Sequence, residues 1–214
     1  MFKRQIEINQ EETFSNIDSA REYSEQSEKS SKMRYDGFIK ELRKLKISGK
    51  YLDVGAGSGI VATMIAKQNR NINITALEIS PIMITIGNEY IEKKGLQSQI
   101  DFIDGNIEDD ELLNKLGQFD LVYSTFSLHH WEHPQKAINN MLRYVKDGGT
   151  LILYDLKRVW WLYCIPKNTG FFTSIRAAYI PKELKEILNT VNITSYKIKN
   201  VFPFFLQNII IRKL

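Results

Sequence analysis

The stretch Tyr51-Leu-Asp-Val-Gly-Ala-Gly-Ser-Gly-Ile60 decides the fold. A short apolar run containing one acid, Asp53, leads into three glycines at the alternate positions 55, 57 and 59. The mostly apolar segment Ile60–Ala66 follows at once and has helical length. A strand, a tight glycine turn and a helix in this order predict the first unit of a parallel α/β sheet.

Strand and helix candidates alternate along the residues that follow. We predict strands at 72–78, 100–104, 119–125 and 149–155, helices at 81–94, near 109–115, from Pro134 and at 181–190, and two closing strands at 194–201 and 206–212. Apolar runs such as Leu151–Tyr154 suit strands that are buried on both faces. The expected fold is therefore α/β, a doubly wound, mostly parallel sheet of seven strands with helices on both faces and an antiparallel last strand.

The first fifty residues are polar and helical in character. Residues 14–46 contain no proline and one glycine, and Phe38, Leu42 and Leu45 recur at spacings of four and three. One stripe of this segment can therefore face a core, and we expect one or two helices before the main fold.

The expected organisation is an N-terminal helical extension at residues 1–47 and a main domain at 48–214. Residues 157–180 lie between the fifth strand and the last helix, and we expect them to cover a substrate. The extension is a candidate lid, in which Tyr23 and Tyr35 are the residues to test.

Composition limits the function classes. The 214 residues are 43% hydrophobic and 25% charged, as in one globular domain, and the scattered charge of +4 permits an anionic partner without requiring one. The single cysteine, Cys164, excludes an intramolecular disulfide and makes a cytoplasmic chain the simplest expectation. The longest run without Asp, Glu, Lys or Arg is the thirteen residues Val54–Ala66, so no stable membrane insertion is expected, because a span needs about twenty.

The glycine spacing separates two kinds of ligand site. A dinucleotide fingerprint G-x-G-x-x-G starting at Gly55 requires a third glycine where Ile60 stands. The Asp53 carboxylate would repel a pyrophosphate but attract an ammonium group, so we expect an amino-acid-bearing ligand. The alternative is that Asp53 caps the turn through backbone N–H groups.

The segment Leu52–Ile60 resembles, almost letter for letter, the first motif of class I methyltransferases that use S-adenosylmethionine. The resemblance covers about residues 48–156. It implies a Rossmann-like fold, S-adenosyl-L-methionine as cofactor and S-adenosyl-L-homocysteine as product. The implied cofactor-binding residues of this motif are Asp53, Gly55, Ala56, Gly57 and Gly59.

The end of the second predicted strand supplies the next implied contacts. Glu78 has the position at which the family holds the ribose hydroxyls with an acid, and a surface salt bridge is the alternative. Ile79 and Met83 follow, where they can pack against adenine, although apolar residues at a helix start are more often core.

The third and fourth strands complete the implied cofactor site. Asn106 stands where the family commonly has an aspartate for the adenine amino group, with Asp104 as the competing candidate and a local turn as the alternative. The main-chain N–H of Ile107 is a candidate for an adenine ring nitrogen. Ser124 lies at the tip of the fourth strand, where its backbone would face the methionine part.

Three histidines, His129, His130 and His133, lie within five residues. A metal site is not expected, because a helix starting at Pro134 would leave His129 and His133 on either side of a turn. Transfer of a methyl group from a sulfonium needs alignment, and needs a base only when the acceptor carries a proton. His129 is the candidate catalytic base or acceptor-orienting group, since its unperturbed pKa lies near neutrality.

The acceptor is expected to be a small molecule. The segment Ser124–Ser127 lacks the Asn- or Asp-Pro-Pro-aromatic run of nucleic-acid amino methyltransferases, and Cys164 lies in the wrong place for cytosine methylation, so no nucleic acid is expected. The candidate substrate residues are His130, Trp160, Arg176 and Tyr179, with Trp161, Phe171 and Phe172 as further lining and Lys167 as a second cation. Alternatively, the aromatic side chains form core or a dimer contact, so a homodimer is left open.

Two other functions are weighed against this hypothesis. A nicotinamide-dependent reductase is disfavoured by the glycine spacing and by Asp53. A cofactor-binding protein without transferase activity is left open, because binding motifs and turnover are separate. A membrane-surface role is not favoured, because residues 157–180 lack a clear basic helical face.

Overall fold

The computed structural model describes residues 3–5, 16–110, 112, 116–164 and 170–213. The helices are α1 (Ile17–Leu45), α2 (Ile60–Ala66), α3 (Pro81–Lys93), α4 (Pro134–Tyr144), α5 (Gly170–Ala177) and α6 (Pro181–Thr190). The strands are β1 (Gly49–Val54), β2 (Ile72–Glu78), β3 (Ile100–Asp104), β4 (Phe119–Thr125), β5 (Val145–Leu156), β6 (Tyr196–Val201) and β7 (Leu206–Arg212). Two short 3-10 segments, Leu128–His130 and Trp160–Cys164, follow β4 and β5.

In the described part of the chain, seven strands form one sheet in the order β3-β2-β1-β4-β5-β7-β6. Strands β1 to β5 pair in parallel, and β7 runs antiparallel to both of its neighbours. The predicted doubly wound sheet with an antiparallel last strand is confirmed. Strands β1 to β5 end at one edge, here called the carboxyl edge, which is where open α/β sheets bind ligands.

Two layers of side chains cover the sheet. On one face, Phe38 of α1 packs against Tyr123 and Tyr154 with ring centroids 5.3 and 5.8 Å apart. On the other face, Met141 of α4 is buried in a cluster with residues of β1, β4 and β5 such as Leu151. Both faces are therefore buried, which agrees with the continuous apolar runs of the central strands.

Most predicted elements lie where the sequence placed them. The helices at 60–66 and 181–190 and the strands at 72–78, 100–104 and 119–125 are confirmed. Strand β5 is longer than predicted and begins at Val145, and β1 ends at Val54 because Gly55 turns out of the strand with φ +70°. The helix predicted near 109–115 lies largely outside the described residues.

From residue 17 to residue 45, the described part of the N-terminal extension forms one helix of 29 residues, α1. Its predicted apolar stripe is confirmed, since Phe38 and Leu42 are buried and Leu45 packs against them. Gly37 lets α1 approach the end of β6, because a Cβ there would come within 2.3 Å of a Val201 methyl group. The domain boundary at residue 47 stays a prediction.

Candidate functional site

The glycine turn lies at the carboxyl edge between β1 and α2. Gly55, Gly57 and Gly59 have φ of 70°, 56° and 72°, which favours glycine at all three positions. A Cβ on Gly55 would lie 2.5 Å from the Ser127 hydroxyl oxygen. The turn therefore requires glycine both for its backbone conformation and for the close approach of the loop after β4.

The Glu78 side chain at the end of β2 holds this turn. It is 9% exposed, and its carboxylate accepts hydrogen bonds from the N–H groups of Gly57 at 2.7 Å and of Ile79 and Ser80 at 3.0 Å. These bonds place a negative charge directly beside the glycine turn. The side chain is thus built into the turn, unlike the surface glutamate of the alternative hypothesis.

Asp53 is a buried acid that faces the Tyr123 hydroxyl but has no hydrogen bond of normal geometry. Its side chain is 1% exposed, and neither carboxylate oxygen accepts a hydrogen bond from any described residue, so the turn-capping alternative is not found. Burial and, to a smaller extent, the Glu78 charge raise the pKa of Asp53 to about 8, although the neighbouring Tyr123 hydroxyl acts to lower it. The Tyr123 hydroxyl itself forms no hydrogen bond in the same residues, and burial raises its pKa well above its usual value.

A buried carboxyl without a normal hydrogen bond is costly in a folded protein, and a cation is the group that would relieve the cost. Asp53 and Glu78 are close enough for their charges to interact, on either side of the glycine turn. This arrangement fits a ligand that brings an ammonium group to Asp53 and polar hydrogens to Glu78. The two carboxyl groups and the glycine turn therefore suit S-adenosylmethionine, which carries an ammonium group and ribose hydroxyls.

The predicted adenine-side residues differ in exposure. Ile79 is 61% exposed at the turn after β2, whereas Met83 is 5% exposed with its methyl group 3.7 Å from the Cβ position of Gly57. Ser80 begins α3, where its hydroxyl accepts from the Met83 N–H. An apolar surface thus borders the glycine turn on the β2 side.

The candidates after β3 and β4 make local contacts. The Asn106 side-chain oxygen accepts from the Glu108 N–H at 2.9 Å, which is the local turn named as the alternative. Ile107 is buried, and Asp104 is exposed at the end of β3. The Ser124 hydroxyl donates to the Val54 carbonyl at 2.7 Å, so its side chain ties β4 to β1.

The predicted base His129 has an acidic partner that the sequence did not reveal. His129 Nδ1 lies 2.7 Å from an Asp155 carboxylate oxygen, and both side chains are 2% exposed or less. Asp155 lies near the end of β5, directly after the apolar run Leu151–Tyr154, and the acid at that position was the one available signal. The pair lies at the carboxyl edge, where His129 of the 3-10 segment after β4 meets Asp155 of β5.

The predicted substrate residues differ in their surroundings. The His130 ring stacks on His129 with centroids 3.7 Å apart, and Arg176 lies 5.6 Å from the Tyr163 ring centroid. Tyr179 is 7% exposed, whereas Trp160 is 68% exposed and points to solvent. Lys167 lies outside the described residues.

The N-terminal residues 3–5 connect two of these groups. The Arg4 guanidinium donates to the His129 carbonyl at 2.9 Å and lies 4.1 Å from the Tyr179 ring centroid. The Gln5 N–H donates to the Arg176 carbonyl. This short segment therefore covers the region beside the His129–Asp155 pair.

Helix α1 also contacts the glycine turn. The Ser24 hydroxyl donates to the Ser58 hydroxyl at 2.7 Å in a buried position. Tyr35 is buried and packs edge-on against Phe126, which follows β4. The extension thus supports two loops of the site, and these contacts were not predicted.

Other features of the described residues lie apart from this site. A surface cavity of about 580 Å³ is lined by residues such as Asp120, Lys146 and Arg212 at the opposite edge of the sheet. In the same residues no three His, Cys, Asp or Glu side chains are grouped to hold a metal ion. None of the helices defined there is long and apolar enough to cross a membrane.

Comparison with known proteins shows a similarity to methyltransferases. A family model for the methyltransferase domain matches residues 52–153. The chain is 28% identical over 171 residues to the ubiquinone/menaquinone biosynthesis C-methyltransferase UbiE of Allorhizobium ampelinum, a match that covers 79% of this chain and 64% of that one. A further relative from Rhizobium meliloti is covered to 54%, so the chain spans about half to two thirds of the length of these curated relatives.

Solved structures share the fold. A S-adenosylmethionine-dependent methyltransferase from Aquifex aeolicus aligns with a TM-score of 0.74 at 17% identity, over 93% of this chain and 99% of the other. Human N-acetylserotonin methyltransferase in complex with S-adenosylmethionine aligns with a TM-score of 0.68 at 16% identity, over 96% and 60%. With its glycine turn, its paired acids and this sheet order, the chain is similar to S-adenosylmethionine-dependent methyltransferases in the segment 52–153 and shares their fold.

Proposed function

We propose that the protein transfers a methyl group from S-adenosylmethionine, in line, to a small-molecule acceptor at the carboxyl edge of the sheet. The observation that carries this proposal is the buried Asp53 carboxyl, which has no hydrogen bond of normal geometry, next to a glycine turn that Glu78 holds. A ligand with an ammonium group at one end and a diol at the other would stabilise both carboxyl groups of this site.

The chain's own residues divide the binding of the cofactor between them. Asp53 would pair with the ammonium group, and Glu78 would accept from the ribose hydroxyls. A carboxylate offers about four acceptor sites and three on Glu78 are taken by N–H groups, so a diol must share or displace one of them. Ile79 and Met83 would contact one face of adenine, and Asn106 and Ile107 its polar edge.

The bound cofactor supplies a methyl group already activated by the sulfonium charge. The protein then contributes alignment, exclusion of water and a proton acceptor. Asp155 at His129 Nδ1 favours a proton on that nitrogen, which leaves Nε2 to accept a proton from the acceptor. Because the His129 side chain is only 2% exposed, the acceptor reaches it only when the covering residues move.

We assign the cover to the segment that includes Arg4 and not to a swinging α1. The helix carries buried side chains such as Phe38 and Leu42 within the same core as the sheet, and separating them from it would be costly. Arg4, by contrast, is held by two carbonyls, those of His129 and Ala177, and by the Tyr179 ring, and these contacts bury no large apolar side chain of Arg4. We therefore expect this short segment, and not α1, to move when His129 becomes accessible.

The acceptor is proposed to be small and apolar or aromatic. The curated relatives are C-methyltransferases of ubiquinone and menaquinone biosynthesis. The exposed aromatic side chains beside the site, such as Trp160, also favour such an acceptor. A cytoplasmic location is proposed, in agreement with the single cysteine.

The test is a transfer assay with methyl-labelled S-adenosylmethionine against pools of small aromatic and quinone-like compounds. We expect label in an organic product and a loss of transfer in His129→Ala and Asp155→Asn. Asp155→Asn should also move the pH profile of turnover, which a purely structural role would not do. Intact turnover in both His129→Ala and His130→Ala would disprove the role of a histidine base.

Calorimetry separates the competing functions. We expect binding of S-adenosylmethionine and S-adenosylhomocysteine and none of the nicotinamide cofactors. Binding without transfer to any acceptor pool would favour a cofactor-binding protein, and binding of a nicotinamide cofactor in place of S-adenosylmethionine would favour a reductase.

A further inference from the structure

A group of exposed aromatic side chains lies at the carboxyl edge, on the side of β5, β6 and β7. These side chains, here called the aromatic rim, come from three separate segments and are Trp160, Trp161, Phe171, Phe202 and Phe204. Phe202 is 80% exposed and Phe204 69%, and their ring centroids are 5.9 Å apart. Single exposed aromatic side chains are ordinary, but a contiguous group marks an interaction surface.

Short contacts join the three segments. The Phe171 ring packs edge-on against Phe205 at a centroid distance of 5.5 Å, which links α5 to the turn between β6 and β7. The Lys157 N–H donates to the Phe205 carbonyl at 2.7 Å. Trp160 follows only three residues later and lies within about 10 Å along the chain. The three segments therefore lie together at this end of the sheet, and we treat the rim as one surface.

This surface shares its edge with the proposed active site. The turn at residues 202–205 leads into Leu206, which pairs with Leu156 at the end of β5. Asp155, the partner of His129, directly precedes Leu156. Whatever binds the rim therefore lies beside the mouth through which an acceptor would enter.

The charge of this part of the chain favours an anionic partner. Residues 157–182, which carry Trp160, Trp161 and Phe171, contain five Lys or Arg and no Asp or Glu, a formal charge of +5. The whole chain is +4, so the remaining residues together carry −1. Two cations border the rim: Lys157 beside Phe205, and Lys3, whose carbonyl accepts from the Tyr163 hydroxyl.

We propose that the aromatic rim docks the protein on the surface of an anionic lipid bilayer. Trp and Phe side chains bind at the bilayer interface, and nearby Lys and Arg side chains add attraction to anionic headgroups. The basic groups come from several segments, which explains why residues 157–180 alone have no basic helical face. Docking in this way turns the carboxyl edge towards the bilayer, and it gives an apolar acceptor dissolved there a short path to the site. That last step rests on the proposed function, whereas the docking does not.

The test is flotation of the purified full chain with vesicles of phosphatidylcholine alone or mixed with phosphatidylglycerol. We expect binding to the mixed vesicles, little binding to phosphatidylcholine alone, and weaker binding at high salt. The double substitution Phe202→Ser and Phe204→Ser should lower the partition coefficient at least about tenfold. Met33→Ser is the matched control, because Met33 is 75% exposed but lies on α1.

Tryptophan fluorescence gives a second readout. On binding mixed vesicles, emission should shift to shorter wavelength, and the double substitution Trp160→Phe and Trp161→Phe should remove the shift while flotation persists. Calorimetry with S-adenosylhomocysteine checks that the Phe202→Ser, Phe204→Ser variant is folded. This check also separates the two proposals, since lipid binding does not require methyl transfer.

Three outcomes would overturn the docking proposal. The first is a wild-type chain that does not float with the mixed vesicles. The second is an equal loss of binding in the control Met33→Ser. The third is a dimer of the wild type in sedimentation without lipid that is lost in the Phe202→Ser, Phe204→Ser variant. The rim would then be a contact with a second copy of this chain.

Discussion

Replacing Asp53 by asparagine should remove a loss of stability that the ligand-free wild type suffers as the pH rises. The same substitution should weaken cofactor binding. The pKa of Asp53 is raised from 3.8 to about 8, chiefly by burial. Between these two values the folded protein keeps a proton that the unfolded chain has released. The free energy of unfolding therefore falls as the pH rises through this window, and the substitution Asp53→Asn removes that fall because an amide does not ionise.

The magnitude follows from the width of the window. About four pH units correspond to at most about 6 kcal/mol, with a slope of up to about 1.4 kcal/mol per pH unit. The observed difference will be smaller, because the buried amide of the variant also lacks hydrogen-bond partners and costs about 1–3 kcal/mol. We therefore expect the variant to gain on the wild type steadily between pH 5 and pH 8.

The assay is urea unfolding followed by circular dichroism at several pH values, with and without saturating S-adenosylmethionine. The cofactor should flatten the pH dependence of the wild type, because its ammonium group would stabilise the Asp53 carboxylate. Asp101→Asn is the control, since Asp101 is an exposed acid on β3. A difference between wild type and Asp53→Asn that stays constant from pH 5 to pH 8 would refute the reasoning.

Three further predictions concern the glycine turn and its supports. Gly55→Ala should abolish measurable cofactor binding in calorimetry. Gly95→Ala is the control, because Gly95 has a similar φ of +67° but nothing within 4 Å of its Cβ position. In unfolding experiments Gly95→Ala should cost only the backbone strain of about 1–2 kcal/mol. Equal effects of the two substitutions would contradict the role of the close approach at Gly55. Ser24→Ala should lower the free energy of unfolding by about 1 kcal/mol and raise the cofactor Kd, because it removes the buried hydrogen bond to Ser58. An unchanged Kd would mean that α1 does not support the glycine turn. Glu78→Gln should weaken cofactor binding about 10- to 100-fold in calorimetry, because the amide nitrogen of the variant would face main-chain N–H donors. An unaltered affinity would exclude Glu78 from the cofactor site.

The sequence was informative wherever structure depends on near neighbours along the chain. The glycine turn could be predicted because φ near +60° at alternate positions leaves few residue choices. Helix α6 could be predicted from Pro181 at its start and its apolar spacing, and the central strands from their continuous apolar runs. Asp53 and Glu78 could be chosen because each lies at or next to the end of a buried strand that leads into a turn.

The sequence was less informative about side chains whose surroundings are distant in the chain. Asn106 could not be separated from its alternatives, because a local turn and a ligand contact need the same side-chain oxygen. Trp160 was expected to line a pocket, and its position at an exposed rim depends on how residues 157–164 pack against the turn after β6.

The amino-acid sequence by itself determined the order of strands and helices, the glycine turn and the two acids beside it, because local backbone preferences and the period of apolar residues are written in short stretches. The tertiary structure alone decided that Asp155 reaches His129, that Ser24 reaches the turn, and that aromatic side chains from three segments meet on one surface. Such contacts join residues far apart in the chain. They depend on strand register and on the packing of α1, neither of which any single stretch of residues specifies.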